Sequence, residues 1–81
     1  MDQVPPTNVD EQLDTSGLTC PLPLLKAKQA LNKLDTGNVL HVICTDQGSV
    51  RDFQVFAGQS GHELLNQTEE NGVYSHWLKK A

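Results

Sequence analysis

The chain has 81 residues, 37% of them hydrophobic, which is enough for one compact domain and too little for two. Ten acidic against 6 basic residues give a net charge of −4 and no basic stripe, which argues against nucleic acid as a direct ligand. No run approaches the ~18 apolar residues of a membrane span, and the first residues lack the basic start and apolar run of a signal peptide; no membrane span is expected, and the expected location is cytoplasmic.

Residues 1–8 are polar and hold the Pro5-Pro6 pair, which suits neither a helix nor a central strand, so a flexible N-terminal tail is expected ahead of a single domain over residues 9–81. From Val9 to Asp14, Val9, Glu11 and Leu13 alternate with Asp10, Gln12 and Asp14, which predicts a first strand, and Thr15-Ser16-Gly17 then turns the chain. From Pro21 to Leu34, Leu24, Leu25, Ala27, Leu31 and Leu34 recur at helical spacing. Pro21 and Pro23 suit a first helical turn, where amide hydrogens lack intrahelical partners, and Gly37 suits the chain reversal after the helix.

Val39 to Thr45 is rich in β-branched residues and predicts a strand with Leu40, Val42 and Cys44 on one face and Val39, His41, Ile43 and Thr45 on a wetter one. Ser49 is the expected cap of a second helix running to about Ala57, ended by Gly58 and Gly61. His62 to Glu69 and Val73 to Lys79 read as two strands joined at Asn71-Gly72, a strong hairpin signal. This order predicts an α/β two-layer sandwich, βαβαββ, with two helices on one face of a mixed four-stranded sheet and the opposite face largely exposed.

A right-handed crossover makes the first two strands parallel and brings the loop holding Cys20 beside the loop Thr45-Asp46-Gln47-Gly48-Ser49. Cysteine reacts as the thiolate, and a helix start with free amide hydrogens favours an anionic sulfur; because the two prolines donate nothing, only Leu22 and then Leu24 are left for that purpose. Spacing alone leaves two readings of Cys20 open, a small buried residue before a helix or a presented thiol. Cys44 reads as a core-facing strand residue, and with no CxxC and three scattered histidines, His41, His62 and His76, a metal site is not expected. Lys26 and Lys28 read as a solvated helix face and Trp77 as a residue at the sheet rim.

Leu13-Asp14 followed by Gly17-Leu18-Thr19-Cys20-Pro21-Leu22-Pro23 resembles the signature of the SirA/TusA-like sulfur carriers, in which Cys-Pro-x-Pro opens the first helix. Thr45-Asp46 with Gly48-Ser49, Arg51-Asp52 and Gly61-His62-Glu63-Leu64 extend the resemblance over roughly residues 10–80. It implies that Cys20 accepts a sulfane sulfur as a persulfide from a donor protein such as a cysteine desulfurase and relays it to a downstream acceptor protein. No cofactor or metal is implied, and the role is that of a sulfurtransferase-type carrier rather than a stand-alone enzyme. Gly17, Pro21, Pro23, Asp46 and Arg51 are the expected site-shaping residues, with Asp46 also readable as a turn residue and Arg51 as a surface one. Cys44 departs from the small residue, such as alanine, expected there. Relatives of this type serve tRNA thiolation, molybdenum-cofactor sulfuration, sulfur oxidation or sulfur import, and the residues do not choose among them. Two other functions stay open: an interaction or regulatory module that binds a partner through the Cys20 edge, and a redox protein pairing Cys20 with Cys44.

Overall fold

A computed structural model describes residues 9–81, and the tail expected over residues 1–8 lies outside them. The elements are β1 (Glu11–Thr15), α1 (Leu22–Asn32), β2 (Val39–Cys44), α2 (Ser49–Ser60), β3 (Glu63–Glu70) and β4 (Val73–Lys79), in the predicted βαβαββ order. The strands form one sheet in the order β1-β2-β4-β3. β1 runs parallel to β2, with Leu13 opposite Val42, while β2 with β4 and β4 with β3 are antiparallel. The sheet is therefore mixed, as predicted, and both helices pack on one face of it.

The core follows from the alternation of β2. Leu40, Val42 and Cys44 face the helices and are fully buried, together with Ala27 and Leu31 of α1, Phe53 of α2 and Leu78 of β4. Burying a side chain the size of Phe53 contributes about 1.5–3 kcal/mol. The turn between β3 and β4 holds Asn71 at φ 54 and Gly72 at φ 80, both left-handed, which is the conformation that twists a two-residue hairpin loop to match its strands.

Several boundaries move for identifiable reasons. β1 starts at Glu11 and gains Thr15, which pairs with Cys44 and donates its hydroxyl to the Ile43 carbonyl at 2.6 Å. Thr45 leaves β2, and its hydroxyl oxygen accepts the Gly17 amide instead. α1 begins at Leu22, with Pro21 at the cap, and closes at Lys33, where the Lys33 amide donates to the Ala30 carbonyl and the Leu34 amide to the Leu31 carbonyl. The Lys80 ammonium also donates to Leu31 and Leu34 carbonyls, at 2.7 and 3.3 Å, supplying partners that a helix end otherwise lacks. Leu25, expected on the core face of α1, is 46% exposed, and Pro23 is buried in that region instead.

α2 passes through Gly58 and ends at Gly61, where φ is 86 and the amide closes on the Ala57 carbonyl. Ser49 is not its cap: Gly48 holds that position, and the Ser49 side chain turns inward to His76. The face opposite the helices is less open than predicted. Trp77 sits not at the rim but opposite both His41 and Asn66, only 6% exposed, with its ring stacked on His41 at 4.4 Å and 7°. The two flat rings shield one another, and burial pulls the His41 pKa down.

Candidate functional site

The parallel pairing of β1 with β2 sends both strands out at the same sheet edge, where two loops meet. Gly17, at φ 85, takes the left-handed backbone that redirects the first loop, and its amide donates to Thr45 Oγ1 at 2.8 Å. Further along that loop, the Cys20 amide donates to Asp46 Oδ2 at 3.1 Å. Asp46 also accepts the Ser49 amide on its carbonyl at 3.0 Å, so it joins the Cys20 loop to the turn that starts α2. These contacts fix the backbone of Cys20 from below and leave its side chain exposed.

The sulfur itself meets a carboxylate. Cys20 Sγ donates to Asp52 Oδ2 at 2.7 Å, with Asp52 held in the first turn of α2. The hydrogen bond to Asp52 raises the Cys20 pKa above the ordinary thiol value, since it is made to the protonated form, and desolvation and the charges of Asp52 and Asp46 add to it. The amide stabilisation expected from the start of α1 is not what Leu22 provides: its N–H is taken by the Thr19 carbonyl at 2.9 Å. Free Cys20 is therefore set up as a thiol with an adjacent proton acceptor rather than as a resting thiolate.

Beside this edge runs a chain of polar side chains that is buried at Ser49 and His76 and reaches the surface at Gln54. Gln67 Nε2 lies 2.9 Å from the Val50 carbonyl and 3.1 Å from His76 Nδ1, and its Oε1 accepts from Gln54. A carbonyl partner requires the amide nitrogen there, so Gln67 donates to Nδ1 and the neutral ring carries its proton on Nε2, 3.0 Å from Ser49 Oγ. Burial lowers the His76 pKa to about 4, which matches that neutral tautomer, and the ring stacks on Phe53 at 4.4 Å. Cys44 lies against this chain: Thr15 Oγ1 is 3.3 Å from its sulfur, and burial pushes its thiol up.

The structure thus gathers Gly17, Cys20, Pro21, Pro23 and Asp46 at one edge. Arg51 is exposed on α2, and it is its neighbour Asp52, not Arg51, that reaches the sulfur. Asp52 was legible only as part of the Arg51-Asp52 match; its place three residues after Ser49, in the first turn of a helix starting at the Cys20 edge, was the available signal. The pairing of His76 with Ser49 gave no sequence signal, because a histidine in a strand looks the same buried or exposed and Ser49 read as a helix cap. The groove lined by Glu11, Leu13, Lys26, Gln29, Ala30, Lys33 and Leu34 lies between α1 and β1 and includes none of the site residues. No helix among the described residues is long and apolar enough to cross a membrane.

Residues 11–80 match the family model described as Sulfurtransferase TusA. The chain is 54% identical over 72 residues to the sulfur carrier protein TusA of Allochromatium vinosum, covering 89% of this chain and 95% of that one. It is 44% identical over 71 residues to the sulfur carrier protein TusA of Pseudomonas entomophila, covering 88% and 89%. Among solved structures it resembles a SirA-like protein from Desulfitobacterium hafniense, with a TM-score of 0.76, 28% identity, and coverage of 85% of this chain and 95% of that one.

Proposed function

The chain belongs to the TusA sulfurtransferase family, and on that premise we propose that it is a sulfur carrier that takes up a sulfane sulfur as a persulfide on Cys20 and relays it. A persulfide-bearing donor protein such as a cysteine desulfurase supplies the sulfur, and a downstream acceptor protein removes it, in the cytoplasm and without direct contact to nucleic acid. The observation that carries this reading is the placement of Cys20: its sulfur is exposed, while its backbone is pinned to Asp46 across two loops. A handle passed between proteins needs both properties, reach for the incoming group and a fixed position for its attack. Leu22 and Leu25, 44% and 46% exposed on the adjoining helix, give a partner apolar area beside the sulfur.

Incubation with a cysteine desulfurase and free cysteine, followed by intact mass measurement, tests the proposal. The protein is expected to gain one sulfur, about 32 Da, and Cys20→Ser to gain none. Equal uptake by Cys20→Ser removes the assignment. Partner binding that persists in Cys20→Ser while no sulfur is ever gained favours the interaction-module reading instead.

A further inference from the structure

We propose that Asp52 is a second catalytic residue, the general base that takes the Cys20 thiol proton as the sulfur attacks. The inference rests on the carrier reading above and adds a role for a carboxylate that the family match does not assign. Its basis is geometric: Asp52 Oδ2 lies 2.7 Å from Cys20 Sγ, at hydrogen-bonding distance from the atom that must lose a proton.

The two aspartates at this edge have separate tasks. Asp46 holds the Cys20 backbone through its amide, and Asp52 holds the sulfur. Both come from the β2–α2 side of the site. From α1, the first turn contributes no acidic residue, and its lysines, Lys26 and Lys28, come later, with Lys28 Nζ lying over the Phe56 ring. Among the described residues, the charged groups that raise the Cys20 thiol are Asp52 and Asp46. A site with only these neighbours holds little thiolate at neutral pH, so attack by the thiol depends on a group that removes its proton during the step.

The transfer balances without an oxidant. A lone pair on Cys20 Sγ forms a bond to the terminal sulfur of the donor persulfide, R–S–SH, while the Cys20 proton passes to the Asp52 carboxylate. The donor S–S bond breaks, and its electron pair leaves on the inner sulfur as R–S⁻. Asp52 then returns the proton to that thiolate, which gives Cys20–S–SH and R–SH, and the carboxylate is restored. The terminal sulfur keeps its own hydrogen throughout.

Charge alone and general base catalysis predict opposite effects of removing the carboxylate. If Asp52 only repels negative charge, Asp52→Asn lowers the thiol pKa, raises the thiolate fraction and speeds uptake. If Asp52 is the base, the variant slows below the thiol pKa even though its thiolate fraction has risen. The experiment is single-turnover uptake from glutathione persulfide, followed by intact mass between about pH 5.5 and about pH 9, with the Cys20 thiol titrated in the same samples. At about pH 6, Asp52→Asn is expected to be at least about tenfold slower than the unaltered protein, at the low end of or below the usual gain from a positioned base. Its rate should climb about tenfold per pH unit with the thiolate fraction, against a shallower rise for the unaltered protein, and Asp52→Glu should recover part of the rate. Uptake by Asp52→Asn that equals or exceeds that of the unaltered protein at about pH 6 overturns the base and leaves the carrier standing. Failure of the unaltered protein itself to take up sulfur overturns both.

Discussion

The Cys20 amide and the Asp46 carboxylate, 26 residues apart in sequence, meet at 3.1 Å and tie the loop after β1 to the loop after β2. The tie exists because β1 and β2 are parallel and in register from Glu11–Leu40 to Thr15–Cys44, which delivers both loops to one edge. With Gly17 bonded to Thr45, it fixes the loop that carries Cys20 at two points.

Removing that tie should loosen the site more than the fold. Asp46→Ala deletes the acceptor of an exposed amide, and a net loss of about 0.5–1.5 kcal/mol is expected in urea unfolding. Amide exchange at Cys20 should accelerate while exchange within β2 stays slow. Unchanged protection at Cys20 would contradict the role given to Asp46.

The buried histidine predicts how stability depends on acid. His76 has a folded pKa of about 4 against an ordinary value of 6.5, so below pH 6.5 the unfolded chain binds the proton that the folded one refuses. Stability from this group is present above about pH 6.5 and is lost as pH falls toward 4, a loss of about 3 kcal/mol at one pKa unit per 1.36 kcal/mol. Burial shifts His41 and His62 in the same direction, which adds to the loss. Urea midpoints should therefore decline across this window, and the His76 ring should titrate far below a free imidazole in NMR. A midpoint that stays flat, or a ring that titrates normally, would contradict the buried neutral tautomer.

The two cysteines should behave as unlike residues. Cys20 is exposed and Cys44 is fully buried on the helix-facing side of β2, so the native protein is expected to take up one equivalent of a thiol reagent, on Cys20, and a second only on unfolding. Mild oxidation should give no Cys20–Cys44 bridge in peptide mapping. Detection of that bridge would support the redox pairing weighed from the sequence.

Much of the architecture was legible in the periodicities of the sequence. The two-residue alternation of β2 put Leu40, Val42 and Cys44 inside, the helical spacing around Ala27 and Leu31 defined α1, and Asn71-Gly72 set the hairpin. What was not legible depends on pairs distant in sequence. Ser49 looked like a cap because serine favours helix starts, but burying His76 beside it made an inward hydroxyl worth more than a cap. Leu25 looked like core because it is apolar, and only the rotation of α1 against the sheet shows that it faces out. Asp52 was one acidic residue among several on the chain until the fold set it against a sulfur 32 residues away.

The central claim, that Cys20 both receives and gives up sulfur, is tested most directly by a chase. Protein loaded with labelled sulfur by a desulfurase is separated from the donor and mixed with an acceptor protein bearing a free cysteine. The label is expected to leave Cys20, with the carrier mass falling by about 32 Da and the acceptor mass rising to match, and Cys20→Ser should deliver nothing. Label that stays on the carrier, or that reaches the acceptor equally well from Cys20→Ser, would contradict the account.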